Sequence, residues 1–283
     1  MRVNESCAAC LMDKQRRLTE DPDYLRAVRE IIDRRAENDS APYLVYLFGR
    51  EYEKRFGPRQ PYAALKRKYN DLVLAREGAI REKIEASPDP LEAAFRYARI
   101  GNYIDFGAMN VVEDAVFLEL LEQADQKEID REVMASFLRQ CGEAKRFLLL
   151  ADNCGEIVLD KLFLEQLKKR FPRLELTVLV RGGEVLNDAT EEDAVQSGIH
   201  RIARVIPSGS RVAGTVYGML TEEARQALDT ADVVLAKGQG NYEALSGQGF
   251  HVFYSFLCKC DYFTGRFGVP RLAGIFLEEK MVH

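Results

Sequence analysis

The sequence predicts an α/β protein: a doubly wound, three-layer α/β/α domain with a mainly parallel sheet, preceded by an all-helical N-terminal region. Two observations carry this. Through about residue 141, apolar residues recur every three or four positions, the spacing of helices with one buried face. From Lys145 onward, short apolar runs alternate with helical stretches, and strands separated by helices argue for a parallel sheet covered on both faces. The chain is therefore expected to divide into a helical region over 1–142 and an α/β/α metal- and phosphate-binding domain over 143–283.

In the first half, Leu65, Tyr69, Leu72, Val73, Ile80 and Ile84 mark one buried face, with Lys66, Arg67, Lys68 and Glu77 between them. Ser87-Pro88-Asp89-Pro90 marks a break and restart, because proline suits a first helical turn and disfavours the helix before it. Further helices are expected over 24–36, 43–56, 91–100, 111–124 and 129–141. The basic runs Arg16-Arg17 and Lys66-Arg67-Lys68 read as solvated helix faces. Two features interrupt the pattern. Cys7-Ala8-Ala9-Cys10 is a cysteine pair at metal-clip or redox spacing. Gly101-Asn102-Tyr103-Ile104-Asp105-Phe106-Gly107 reads locally as a helix C-cap followed by an Asn/Asp turn.

In the second half, strands are expected at 147–150, 174–180, 202–206, 233–236 and 252–256. Helical segments fall at 155–171, near Glu191, at 222–228 and at 242–245. Each strand runs into a polar or glycine-rich cluster. These are Asp152-Asn153-Cys154-Gly155-Glu156, Arg181-Gly182-Gly183 with Asn187-Asp188, Pro207-Ser208-Gly209-Ser210, Lys237-Gly238-Gln239-Gly240-Asn241, and Cys258-Lys259-Cys260. Open parallel sheets bind ligands outside the carboxyl ends of their strands, so these clusters are expected to converge on one edge.

Asp152, Asn153 and Asp188 offer two carboxylates and an amide carbonyl, hard oxygen donors suited to Mg²⁺, Mn²⁺ or a similar ion. The alternative for the first cluster is a helix N-cap, and for Asn187-Asp188 a turn. Only three histidines occur (His200, His251, His283), none in a strand-end cluster, which disfavours a histidine zinc site. In Lys237-Gly238-Gln239-Gly240-Asn241, glycines let amides approach an oxyanion and Lys237 adds a full charge; Ser208 and Gly209 would contribute a hydroxyl and an amide. A plain strand-to-helix turn is the alternative. Neither a Walker motif nor the dinucleotide fingerprint is present. Metal plus phosphate cradle points to phosphoryl chemistry, with a metal-activated water favoured over Asp152 as nucleophile.

Composition sets the class. The 283 residues are 47% hydrophobic and 30% charged, with a net charge of -5, so neither disorder nor a broad nucleic-acid footprint is expected. No apolar run approaches the ~20 residues of a membrane span, and the first residues lack the apolar stretch of a signal peptide. A soluble cytoplasmic protein is the expectation. Six cysteines are too few for a disulfide scaffold in a chain of this length.

Taken in order, the N-terminal Cys-X-X-Cys, the Gly-Asn-X-Ile-Asp-Phe loop, Asp-Asn-X-Gly-Glu, the later Asn-Asp and Lys-Gly-X-Gly-Asn resemble the metal-dependent damage-control phosphatases. That family was long labelled only as a domain of unknown function, and Cys7 and Cys10 suggest its prokaryotic and archaeal branch. The resemblance spans nearly the whole chain. It implies a helical region packed on an α/β/α domain, a divalent metal (Mg, Mn, Co or Ni), and hydrolysis of phosphate monoesters of small metabolites, such as sugar phosphates or damaged cofactor intermediates. Carried over residue by residue, it makes Asp152, Asn153 and Asp188 metal ligands and brings Lys237 to the substrate phosphate. Asn102 and Asp105 would face the site from their loop, with Glu156, Ser208, Gly209, Gly238 and Asn241 completing the substrate-binding set. A phosphorylated small molecule is thus the expected partner.

Other readings remain. One relative in the family has been described as a carboxyl methyltransferase using S-adenosylmethionine, and a non-catalytic metal or phosphometabolite binder is a third class. Cys7, Cys10, Cys258 and Cys260 form a four-sulfur metal site if strand five and the N-terminus meet. Cys141 reads as a small buried hydrophobe.

Overall fold

A computed structural model describes residues 2–107 and 112–280. The first half is helical. α1 (Glu5–Leu18), α2 (Pro22–Asp33) and α3 (Ala41–Phe56) share a small core around Tyr24, Val28, Leu44 and Phe48. The next helices are α4 (Ala63–Leu74), α5 (Glu77–Ala86), α6 (Pro90–Gly101), α7 (Asp114–Glu122) and α8 (Arg131–Glu143). Local chemistry sets the starts. Asp21 accepts from Tyr24 N at 2.6 Å and Asp89 from Glu92 N at 3.1 Å, each followed by proline in the first turn.

The apolar rhythm through Leu65–Ile84 does form one buried face, but the chain breaks at Ala75-Arg76 between α4 and α5. Val111, expected at the start of a helix, and His283 lie outside the described residues. Lys66 differs from its expected solvated setting. It is buried, with its ammonium 2.6 Å from Asp193, because α4 packs against the helix that carries Asp193.

The second half alternates: β1 (Arg146–Leu150), α9 (Glu156–Arg170), β2 (Glu175–Val180), α10 (Glu191–Ser197), β3 (Arg204–Pro207), α11 (Glu222–Thr230), β4 (Val233–Lys237), α12 (Gly238–Leu245), β5 (Val252–Leu257), α13 (Asp261–Phe267) and β6 (Gly274–Glu279). The sheet order is β3-β2-β1-β4-β5-β6. β1 to β5 are parallel, and β6 runs antiparallel against β5 at the edge. The fold is α/β with a mostly parallel sheet. β6 is the strand the sequence reading lacks.

Period-2 alternation explains the layers. Phe147 and Leu149 of β1 enter one core with α4 to α9, while Leu148 and Leu150 enter the opposite core with α11, α12 and α13. α6 packs along α9, and the residues of α9 from Glu156 to Leu164 are buried. Helices α4 to α8 therefore share a continuous core with one face of the sheet. Among the described residues no helix is long and apolar enough to cross a membrane. The chain leaves β1 toward β2 on one side and reaches β4 on the other, so the connection order reverses at β1 and β4. A crevice at their carboxyl ends follows from that reversal.

Candidate active site at the carboxyl edge of the sheet

β1 delivers Asp152 and Asn153 into this crevice, and the segment after β2 returns Asp188 to meet them. Asn153 and Asp188 form an isolated antiparallel bridge, and Ala189 N donates to Asp152 O at 2.7 Å. Two glycines permit the crowding. Gly155 has φ +69°, and a side chain there would strike Ile104 and Tyr69. Gly238 has φ +80°, and a Cβ would lie 2.0 Å from Asp152 Oδ2.

The polar atoms are closely partnered. Asp152 Oδ2 accepts from Asn102 at 2.9 Å and Asn153 at 2.7 Å. Arg181 donates through Nε to Asp188 Oδ2 at 2.6 Å, and its Nη2 stands 3.5 Å from Asp152 Oδ1. Its third contact is Asn241 Oδ1 at 3.2 Å, which also accepts from Thr215. Glu156 accepts from Asn153 and Asn102, and Asn187 donates to Ile104 O and to Asn153 Oδ1. The Asn102–Phe106 loop is therefore stitched to both segments, and Asp105 joins it through Lys259 at 2.6 Å.

Electrostatics follow from this packing. Burial and then the neighbouring Asp188 and Glu156 push Asp152 well above the ordinary carboxylate range. Burial pushes Asp188 up to about 6, against the pull of Arg181. One guanidinium does not compensate two buried carboxylates, so the pair fits a divalent cation, with the Asn153 amide oxygen as a third donor. Among the described residues no group of three His, Cys, Asp or Glu is arranged to hold a metal ion. The donor set here is instead two carboxylates and an amide.

The structure brings Asp152, Asn153, Asp188, Asn102, Glu156 and Asn241 together, with Asp105 at the margin beside Lys259. Lys237 takes a different position from the one its motif suggests. Its ammonium lies beneath the site, 2.5 Å from Asp160, 2.8 Å from Glu156 and 3.0 Å from Ala98 O. Burial opposes the charge, but Asp160 and Glu156 outweigh it and hold Lys237 firmly protonated. A Cβ at Gly238 would collide with Asp152, so the glycine gives room to that carboxylate. Ser208 also turns inward: its hydroxyl accepts from Gly182 N at 3.0 Å, bracing the loop after β2. Gly209, at φ +83°, packs against Thr221 and lines a cavity beside that loop.

Arg181, Asn187 and Lys259 are the participants that the sequence reading did not assign. The signal was available for two of them. Arg181 follows directly on β2, the position that made Lys237 a candidate, and Lys259 lies two residues past β5 in its own strand-end cluster. Cys7 and Cys10 lie on α1, capped by Asn4, and Cys258 and Cys260 flank Lys259. All four are free thiols, and no three of them are arranged around a metal.

Comparison with known proteins agrees with this architecture. The model of the damage-control phosphatase ARMT1-like domain matches residues 3–274. The chain belongs to the ARMT1-like damage-control phosphatase family. A damage-control phosphatase of Archaeoglobus fulgidus is 30% identical over 276 residues, covering 92% of this chain and 93% of that protein. Damage-control phosphatase PH1575 of Pyrococcus horikoshii is 27% identical over 296 residues, covering 99% of both. The crystal structure of that DUF89 family protein superimposes with a TM-score of 0.80 at 26% identity, covering 99% of this chain and 100% of the other. Family membership thus extends from α1 to the start of β6.

Proposed function

We propose that this protein is a divalent-metal-dependent phosphatase that hydrolyses phosphate monoesters of small metabolites. The observation that carries the reading is the buried Asp152–Asp188 pair at the point where strand order reverses, served by a single guanidinium. Membership of the damage-control phosphatase family supports the reaction class.

Asp152, Asn153 and Asp188 would hold the metal, which when bound polarises the phosphoryl oxygens and activates water. Arg181 fixes the two carboxylates from behind, so their geometry does not depend on solvent reorganisation. Asn102 and Asn153 orient Asp152, and Asn187 orients Asn153. Lys259, just past the carboxyl end of β5, pairs with Asp105 and is the residue we assign to the substrate phosphate. Lys237 acts beneath the site by fixing Glu156, which in turn holds Asn102 and Asn153. In the reaction, water oxygen bonds to phosphorus, the ester P–O bond breaks, and the departing oxygen leaves as the alcohol. Orthophosphate is the second product.

The test is release of inorganic phosphate from a panel of phosphomonoesters, with chelator or with Mg²⁺, Mn²⁺, Co²⁺ or Ni²⁺. Release with metal and none with chelator is expected. No release under any ion, or methyl transfer from S-adenosylmethionine in its place, would overturn the reading.

A further inference from the structure

Beside the site lies a cavity of about 470 Å³, walled by α3 and by the loops after β2 and β3. Its size falls in the range of small-molecule pockets, roughly 300–1,000 Å³. Leu186 lies in the cavity wall two residues before Asp188, and Ala213 in the same wall precedes the Gly214 that packs against Gly240. The cavity therefore adjoins the loops that carry Asp188 and Asn241.

Two features mark it as a binding site. Gly49 stands in the middle of α3 facing this space, although a glycine weakens a helix. A Cβ there would meet nothing within 4 Å, so neither packing nor backbone conformation requires the glycine. Its effect is to widen the cavity between Tyr46 and Arg50. The second feature is charge, since three guanidiniums (Arg50, Arg59, Arg211) face two carboxylates (Glu53, Glu184). Arg211 is engaged by Glu53 at 3.1 Å and by Glu184 O at 3.0 Å, and Arg59 lies 4.5 Å over the Tyr52 ring. Arg50 is exposed, and none of the ion pairs found among the described residues includes it.

Resting on the phosphatase reading, we propose that this cavity receives the alcohol part of the ester and selects alcohols carrying a second anionic group, carboxylate or phosphate, read by Arg50. The apolar wall of Val45, Tyr46, Leu186 and Met219 packs the carbon skeleton, while the guanidinium pairs with the distal anion.

The experiment compares matched esters on the metal-loaded enzyme: glycerol 3-phosphate against 3-phosphoglycerate, and fructose 6-phosphate against fructose 1,6-bisphosphate. A charge-assisted contact predicts a preference of about tenfold in kcat/KM for the member of each pair that carries the second anionic group. In Arg50→Ala that ratio should fall toward one, through KM, and Gly49→Val should raise KM for the sugar esters. A ratio near one in the native enzyme, or an unchanged ratio in Arg50→Ala, overturns the inference. The pairs separate the two anion sources, since preference in only one pair identifies carboxylate or phosphate. If no ester is hydrolysed, the phosphatase reading fails. Calorimetric binding of the same pairs then decides the cavity, and equal affinities of native protein and Arg50→Ala would refute it.

Discussion

Arg181 donates Nε–H to Asp188 Oδ2 at 2.6 Å, and the same guanidinium stands 3.5 Å from Asp152. All three side chains are almost wholly buried. The guanidinium thus acts as the resident counter-charge of a site with one carboxylate in excess. Removing one partner from a buried ionic group leaves uncompensated charge, which typically costs about 3–5 kcal/mol. Arg181→Met should destabilise the metal-free protein by that order, and Mn²⁺ should recover part of the loss by neutralising the same carboxylates. Urea midpoints with chelator and with metal check this. Equal midpoints for native and variant protein without metal would contradict it.

The two buried lysines should separate by readout. Lys237 is paired with Asp160 and Glu156 beneath the site, so Lys237→Met should lower stability by about 3–5 kcal/mol. Lys259 is as deeply buried and pairs with Asp105, so Lys259→Ala should also lower stability and, beyond that, cut turnover per folded molecule by roughly 10²-fold or more. Denaturation midpoints and kcat/KM measured on both variants distinguish the assignments. A stable Lys237→Met with weakened phosphate binding would return Lys237 to the role its motif suggests.

Much of this site was legible because glycine and polar residues follow each strand, and strand-end clusters of a parallel sheet must share an edge. The proposed metal donors Asp152, Asn153 and Asp188, and Asn241 with them, follow from that logic, whereas Asn102 and Asp105 follow from the family resemblance alone. Lys237 shows its limit. Lysine after a buried strand signals function, but only the packing of α9 reveals Asp160 and Glu156 below it. β6 is not legible in the sequence for a related reason: Gly274–Glu279 is an edge strand with mixed burial, so it lacks the continuous apolar run that marks β1 or β4. Lys66 departs from its expected solvated setting because its partner Asp193 is far away in sequence.

Glu243 makes stability depend on pH. Burial is the largest effect on it and pushes its pKa from 4.5 up to about 7, against the pull of Lys14. A carboxyl with a raised folded pKa favours folding while protonated, and the advantage is lost as pH rises through about 7. Part of the Glu243 side chain remains accessible, so the contribution is about 1–2 kcal/mol. Between pH 5 and 8 the native protein should lose stability that Glu243→Gln retains. Parallel stability curves for the two proteins would contradict this.

Asp188 carries the central claim. Asp188→Asn keeps shape and removes one unit of charge, so the two-carboxylate site loses half its formal negative charge. Loss of a key electrostatic contact at a phosphoryl centre costs on the order of 10²-fold in rate. The most direct measurement is phosphate release by chelated native protein, by the same protein after Mg²⁺ or Mn²⁺ is returned, and by Asp188→Asn. The account predicts no turnover after chelation, recovery with metal, and a loss of at least about 10²-fold in the variant. Full phosphatase activity in metal-free Asp188→Asn would contradict it.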